Sequence, residues 1–213
     1  PWSFKLDEII KDPDITRPVL ESLKSDPSVY VRKSVANHLN DVSKDSPGYM
    51  LDMISLWDRN DQHTLWIMRH ACRTLIKKGD KRALAIFSFD KNVKVSLRNF
   101  RLDKPVIQLN ETLQFEFSLT SLKATPQKIC VDYRIHYCKK SGETSPKVFK
   151  LRVLSLEAGE TVKFIRRQKF TDFTTRKHYA GMHCLEIIIN GKVFRRTDFQ
   201  LKIRWGEFLL KEG

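Results

Sequence analysis

The sequence predicts a two-domain α+β protein: an α-helical, HEAT-like solenoid segment followed by an immunoglobulin-like, antiparallel β-sandwich. Two patterns carry this prediction. Up to about Phe87 the apolar residues recur every three or four positions, as they do along one face of a helix. After Ser88 they alternate with polar residues, as in half-buried strands. We therefore place the helical domain at residues 1–88 and the sandwich at residues 89–213.

Start and stop signals divide the first domain into helices. Asp26-Pro27-Ser28 breaks the chain and offers an N-cap, Ser46-Pro47 starts another helix, and Gly79 supplies a C-terminal cap. The predicted helices cover residues 15–25, 28–45, a segment starting at 46, 62–78 and 81–87.

An internal repeat relates two of these helices. Val31 and Leu39 superpose on Ile67 and Leu75 with a period of 36 residues. A helix pair near this period is typical of HEAT-like solenoids, whose stacked units share one continuous core. Because two units are few for a stable solenoid, we interpret the segment as the C-terminal part of a longer solenoid and the chain as a fragment or processed form.

The second domain has about seven strand patterns at the spacing of a β-sandwich. They cover residues 93–97, 113–119, 130–137, 148–154, 162–170, 185–189 and 193–203. Turns are predicted at Ser141-Gly142, Gly159 and Asn190-Gly191, of which the last is a strong hairpin signal. The spacing Tyr179-x-Gly181-x-His183 fits an immunoglobulin corner. We favour an immunoglobulin-like domain over about 90–205; a different sandwich topology is the alternative.

Charge and composition indicate the class of partner. The chain carries a net charge of +14, of which residues 1–88 contribute about +2 and the sandwich about +12. Such a balance suits a polyanion, although a basic domain without a nucleic-acid partner remains open. No apolar run approaches the length of a membrane helix. The four cysteines form no C-x-x-C pair, so we expect free thiols.

Two polar rows at helical spacing form the candidate site. One row is Lys33, Asn37 and Asp41, with Lys44 beyond it. The other is Arg69, Arg73 and Lys77, each 36 residues after its counterpart in the first row. Stacked helices would join the rows into one cationic surface that holds a single carboxylate.

That carboxylate, Asp41, has two interpretations. Cations pair with phosphate oxygens, and a carboxylate among them is useful where positive charge develops, as it does on the sugar during glycosidic cleavage. The alternative is a simple surface ion pair between Asp41 and Lys77. His38 falls on the apolar side and is expected to be a core residue. The sequence has no phosphate-binding loop, nucleophile elbow or zinc motif.

Two runs carry a resemblance to a known family. The segments SDPSVYVRKSVANHLNDVSKD (residues 25–45) and WIMRHACRTLIKKGD (residues 66–80) resemble the AlkC branch of the bacterial HEAT-like alkylpurine DNA glycosylases, which are related to AlkD. Pro1-Trp2 fits the same branch, part of which has a C-terminal immunoglobulin-like domain. The resemblance covers essentially all 213 residues.

The resemblance implies an enzyme that hydrolyses the N-glycosidic bond of cationic alkylated bases such as 3-methyladenine, without a metal or nucleotide cofactor. Asp41 resembles the carboxylate near the damaged nucleotide, and Trp2 an aromatic wall of the site. Asn37 stands where the AlkD relatives carry an aromatic residue, close to the base and sugar. The residues that resemble or extend the cationic lining on the DNA backbone are Arg32, Lys33, Lys44, Arg69, Arg73 and Lys77.

The resemblance also sets further expectations. The partner is double-stranded DNA with an alkylated base, and we expect a monomer in the bacterial cytoplasm, associated with the nucleoid when acting. The family's solenoid begins before Trp2 and supplies another acidic residue, so we expect this chain alone to excise little or nothing. The alternatives are a non-catalytic DNA-binding module and a protein-interaction scaffold.

Overall fold

The computed structural model describes residues 6–90, 92–174 and 177–203. It divides into two compact units, Pro1–Ser88 and Phe89–Gly213. The first is helical and the second consists of strands, as the periodicities predict. Among the described residues, no helix is long and apolar enough to cross a membrane.

Seven α-helices and one short 3-10 helix form the described part of the first unit. The 3-10 helix covers Pro13–Thr16. The α-helices are α1 Asp7–Lys11, α2 Arg17–Leu23, α3 Val29–Asp45, α4 Pro47–Ser55, α5 Gln62–Ala71, α6 Arg73–Lys78 and α7 Lys81–Ile86. Gly79 ends α6 with φ of 75°, a left-handed conformation that glycine adopts without strain, so the predicted cap is confirmed.

The central helix of this unit is α3, which packs against α4 and α5. Val35 and Leu39 of α3 are buried, and so are Ile54 of α4 and Ile67 and Met68 of α5. Leu39 and Ile67 are among the apolar positions that define the repeat, and the other three are buried with them. Their burial explains why the two repeat helices lie side by side, since neither can bury its apolar face alone.

A buried amide joins the two repeats. Asn40 of α3 is 3% exposed, and its Nδ2 donates to the Ala71 carbonyl and to Thr74 Oγ1, each at 2.9 Å. Helical spacing alone places Asn40 with the polar residues that face away from the apolar stripe, but the structure buries it, because its hydrogen-bond partners lie inside the helix packing. This interaction ties α3 to the junction between α5 and α6.

The predicted helix over residues 62–78 is interrupted at that junction. Cys72 has φ of −77° and ψ of −1°, which separates α5 from α6. The two preceding carbonyls accept side-chain hydrogen bonds: His70 O from Arg73 Nη1 at 2.8 Å, and Ala71 O from Asn40. Side chains that enter the hydrogen-bond ladder in this way bend or break a helix.

The second unit is a sandwich of a three-stranded and a five-stranded sheet. Its strands are β1 Val95–Leu102, β2 Val106–Gln108, β3 Thr112–Ser121, β4 Gln127–Cys138, β5 Thr144–Leu156, β6 Thr161–Lys169, β7 Gly181–Ile189 and β8 Lys192–Lys202. The sheet orders are β1-β3-β6 and β2-β8-β7-β4-β5. The prediction of about seven antiparallel strands missed β2, which pairs with β8 in parallel. With three residues, β2 is too short to show the alternation of apolar and polar residues that predicts a strand.

The sandwich core lies between the two sheets. Along β3 every second residue is buried, from Leu113 through Phe115 and Phe117 to Leu119. Phe117 stacks on Phe164 of β6, with ring centroids 4.9 Å apart. The alternation that predicted the strand therefore separates core positions from outward positions in the three-stranded sheet.

The predicted hairpin at Asn190-Gly191 is confirmed. Ile189 pairs with Lys192, so two residues connect β7 to β8. Asn190 has φ of 46° and Gly191 has φ of 78°. Positive φ at both central residues is the requirement of a type I′ turn, which Asn-Gly satisfies better than other pairs.

A buried histidine lies near the start of β7. His183 is 1% exposed and stacks on Phe199 with centroids 5.3 Å apart. Its Nδ1 accepts from the Cys138 N–H at 3.2 Å, so Nε2 carries the proton and donates to the Tyr179 carbonyl at 3.2 Å. Burial lowers the pKa of His183 below its usual value. The fold thus holds a neutral imidazole in one tautomer.

We expect Asn40→Ala to destabilise the helical unit. The change removes the donor of two hydrogen bonds in a buried site, at a cost of about 1–3 kcal/mol in the free energy of unfolding. Asn37→Ala is the matched control, because Asn37 lies on the exposed side of the same helix and should change stability by about 0.5 kcal/mol or less. Urea denaturation measures both; equal losses would contradict the bridging role of Asn40.

The free energy of unfolding should fall as the pH drops from about 7 to 5. A histidine whose pKa is lowered by folding contributes stability above the usual imidazole pKa, about 6.5, and loses it as the pH falls. Burial lowers the pKa of both His183 and His38. Titration of the imidazole signals by NMR checks the cause, and a His183 midpoint above 6.5 would exclude it.

Candidate nucleic-acid interface

The first polar row is the exposed stripe of α3. Between Val31 and Lys44, the residues on the other sides of this helix are buried or half-buried, whereas the residues of the stripe are exposed. The exposed stripe consists of Tyr30, Lys33, Ser34, Asn37, Asp41 and Lys44. The core therefore fixes which side chains of α3 face outward, and it presents the predicted row together on one side.

The second row lies on α5 and α6, beside the first. Arg69 and Lys77 are exposed and Arg73 is half-buried. Arg73 Nη2 donates to Asn37 Oδ1 at 3.0 Å, so two residues that the 36-residue register pairs are in direct contact. The helical unit thus brings the two predicted rows onto one continuous surface.

Asp41 is the carboxylate of this surface. Its side chain is 69% exposed and forms an ion pair with Lys44 at 2.5 Å, one turn along the same helix. The expected surface pair was with Lys77; the ion pair that the structure gives is local to α3. Such exposed pairs contribute about 0–1 kcal/mol to stability, so the fold has little need of this carboxylate.

Two cations lie at the opposite end of the rows from Asp41. Within residues 6–90, neither Lys33 nor Arg69 forms an ion pair or a hydrogen bond through its side chain. Because these charged groups are exposed and uncompensated, they are available to an external anion. They lie at the same position of the two repeats, one on each row.

One predicted backbone contact needs correction. Arg32 is 8% exposed, and its Nη1 donates to the carbonyls of Asp26 and Pro27 at 2.9 and 2.7 Å. The guanidinium also lies 5.6 Å from the ring of Trp66. Arg32 holds the turn before α3 and is turned away from the exposed stripe, so we exclude it from the candidate interface.

The tryptophans of the helical unit have different environments. Trp2 lies outside the described residues. Trp57 is a core residue, 3% exposed, whose Nε1 donates to Glu21 Oε1 at 2.9 Å. Trp66 is half-buried and stacks with the exposed His70, with centroids 3.7 Å apart. Sequence reasoning missed His70; the i, i+4 spacing of these two rings was the available signal.

His38 sits behind the stripe as a half-buried residue. Its Nε2 lies 3.0 Å from Thr16 Oγ1. Burial lowers the pKa of His38, while the charge of Asp41 opposes that change. A neutral imidazole bonded to a hydroxyl fits the expected structural role.

Much of the sandwich's basic charge is bound internally. Within the sandwich, Lys123 pairs with Asp90 and Lys139 pairs with Glu143. Lys128 lies over the Phe89 ring and Lys147 over the Phe149 ring. The partners of Lys123 and Lys128 are distant in sequence, so the sequence pattern does not reveal them.

The outer face of the three-stranded sheet is a cationic surface that the sequence did not single out. On β6, Arg167 and Lys169 are opposite Gln114 and Thr112 of β3, whereas Leu113 between them is buried. Arg98, Arg101 and Lys163 lie on the same outer face by register. Its acidic residue, Glu116, binds Lys163 at 2.9 Å and also binds Arg101; these cations hold the pKa of Glu116 below its usual value.

Within the described residues, no group of three or more His, Cys, Asp or Glu side chains is placed to hold a metal ion. Cys72, Cys130, Cys138 and Cys184 are free thiols. Burial raises the pKa of Cys72 to about 12, which keeps this thiol protonated and unreactive.

Comparisons with known proteins identify relatives of this chain. A solved structure of the Pseudomonas fluorescens alkylpurine DNA glycosylase AlkC, bound to DNA containing an abasic site analog, is similar to this chain with a TM-score of 0.91 and 44% identity. The match covers 95% of this chain and 56% of AlkC. The AlkC-type resemblance and the fold of helices followed by a sandwich are therefore confirmed.

A curated relative and a family model complete the comparison. The YhaZ protein of Bacillus subtilis (strain 168) is 41% identical over 201 residues, which cover 94% of this chain and 56% of YhaZ. This chain thus spans little more than half the length of either relative. A model described as "Uncharacterised protein YhaZ, C-terminal Ig-like domain" matches residues 96–203. The chain belongs to this YhaZ family, whose C-terminal domain is immunoglobulin-like.

Proposed function

We propose that the chain is part of a DNA glycosylase of base excision repair, which hydrolyses the N-glycosidic bond of cationic alkylated bases such as 3-methyladenine. The observation that carries the proposal is the TM-score of 0.91 and 44% identity to AlkC in complex with abasic-analog DNA. The joined polar rows support it independently, since they combine uncompensated cations with one carboxylate.

The cationic groups of the rows bind the DNA backbone in this proposal. Lys33 and Arg69 contact phosphate oxygens, and Arg73 is oriented by its bond to Asn37. Lys77 and Lys44 extend the two rows at the end where Asp41 lies. Contacts of this kind set the register of the protein on the duplex without reading its sequence.

In this proposal Asp41 is the catalytic residue. An alkylated base such as 3-methyladenine already carries a positive charge, so it leaves readily and needs little acid catalysis. The sugar then becomes cationic, and an anion beside it lowers the energy of that state. Asp41 stabilises the sugar and orients the water that adds to its anomeric carbon, while Asn37 borders the base and sugar.

We also propose that the protein acts as a monomer in the bacterial cytoplasm, on the nucleoid, and that it uses no nucleotide cofactor. Because the chain spans 56% of AlkC and of YhaZ, we assign complete activity to the full-length protein. The alternative functions, DNA binding without catalysis and protein scaffolding, predict respectively no preference for abasic-analog DNA and no DNA affinity.

Asp41→Asn in the full-length protein should lower single-turnover excision of 3-methyladenine by a factor on the order of 10². Affinity for the duplex should change little or rise, because the lost charge is repelled by phosphates. Lys44→Gln is the matched control, since it breaks the same ion pair but keeps the carboxylate. Equal excision rates for Asp41→Asn and the wild type would assign Asp41 a surface role only.

The sandwich should provide a second contact with the duplex through its β6 face. The double change Arg167→Gln and Lys169→Gln should reduce the slope of log affinity against log salt by about 0.9 per lost phosphate contact. Lys139→Gln with Lys140→Gln removes the same charge at the β4–β5 turn and is the control. If the control pair lowers the slope and the β6 pair does not, the contact lies at the turn instead.

A further inference from the structure

One end of the polar rows carries aromatic rings that the proposed catalysis does not use. Trp66 and His70 stack with centroids 3.7 Å apart and an angle of 22° between their planes. His70 Nδ1 lies 2.9 Å from the Trp66 carbonyl, and because a carbonyl oxygen only accepts, Nδ1 holds the proton and donates. The exposed imidazole is therefore held in one orientation against the indole.

The indole is itself fixed from below the surface. The buried Arg32 guanidinium lies 5.6 Å from the Trp66 ring centroid, within the range of a cation–π interaction. Arg32 is in turn anchored by the carbonyls of Asp26 and Pro27. A ring pair that is held in place this way loses little conformational freedom when it meets a ligand, which favours binding.

Tyr30 occupies the equivalent position of the first repeat. It lies 36 residues before Trp66 and about one helical turn before Lys33, on the same exposed stripe. Its side chain is 83% exposed, the highest value among the large apolar and aromatic residues that the structure describes. Both polar rows therefore begin with an aromatic residue, followed one turn later by an uncompensated cation, Lys33 or Arg69.

We propose that Tyr30 and the Trp66–His70 stack form a binding site for bases and deoxyribose of DNA, adjacent to the phosphates held by Lys33 and Arg69. This inference rests on the proposed function. One helical turn is about 5.4 Å, and nucleotides of one strand are spaced about 3.4 Å apart, so the rings and the cations can reach neighbouring nucleotides. Stacking on aromatic rings tolerates any base sequence, as a repair enzyme requires.

The salt dependence of binding distinguishes this aromatic site from a phosphate contact. A phosphate contact releases counterions, so its loss lowers both the affinity and the salt dependence of binding. Stacking and sugar packing release none, so their loss lowers the affinity and leaves the salt slope unchanged. The abasic-analog duplex is the appropriate probe, because a missing base weakens stacking and exposes the neighbouring bases and the sugar.

The test measures binding of the 213-residue chain to a duplex with a tetrahydrofuran abasic analog, by fluorescence anisotropy at pH 8 and several salt concentrations. Tyr30→Ala and His70→Ala should each lower affinity about fivefold or more at an unchanged salt slope. Tyr30→Phe and His70→Phe keep a ring and should stay within about twofold of wild type. Lys33→Gln should lower the salt slope by about 1.

The outcomes separate the two proposals. Wild-type affinity of both alanine variants, with a reduced slope for Lys33→Gln, would overturn the aromatic site and leave the proposed function in place. A reduced slope in Tyr30→Ala or His70→Ala would make that residue a phosphate contact, which also overturns the inference. Unchanged binding of all variants, Lys33→Gln included, would contradict the proposed function together with the aromatic site.

Discussion

The candidate interface depends on the buried amide of Asn40. Its hydrogen bonds to the Ala71 carbonyl and Thr74 Oγ1 fix how α3 lies against the second repeat. Apolar packing alone would tolerate a shift of one helix along the other, whereas a buried donor with two defined acceptors does not. With that register set, Arg73 meets Asn37 and the two polar rows become one surface.

In the proposed function, the cations of that surface bind DNA and the carboxylate of Asp41 takes part in the chemistry. Under the proposed function, the cations without internal partners attract the phosphates of DNA and then hold them. A carboxylate in the same place weakens binding, and the stability of the fold does not explain it, because Asp41 only joins an exposed pair with Lys44. Under the proposed function, Asp41 stabilises the cationic sugar of the transition state. The charged base is a good leaving group, so the proposed reaction needs little acid catalysis.

The sequence predicts those features that depend on short-range pattern. The two periodicities separate the helices from the strands, the 36-residue repeat predicts the Asn37–Arg73 contact, and Asn190-Gly191 predicts the β7–β8 hairpin. Features that depend on tertiary partners cannot be predicted from the sequence pattern. The helix break at Cys72 follows from Asn40 on another helix, and β2 exists only because β8 pairs with it.

For the candidate site, too, the sequence predicts some features and not others. Helical spacing identifies the exposed stripe of α3, but it cannot tell an exposed arginine from Arg32, whose acceptors are backbone carbonyls that spacing does not reveal. Net charge predicts a basic sandwich, yet only strand register shows that Arg167 and Lys169 share an outer face. Trp2 carries an expected role but lies outside the described residues.

A crystal structure of the full-length protein bound to a duplex with an abasic analog tests the role of Asp41 most directly. If Asp41 stabilises the sugar, its carboxylate should lie within about 6 Å of the abasic sugar, the range in which opposite charges interact strongly. Lys33 and Arg69 should contact the flanking phosphates. DNA bound to another face of the helices, with Asp41 in solvent, would contradict this role.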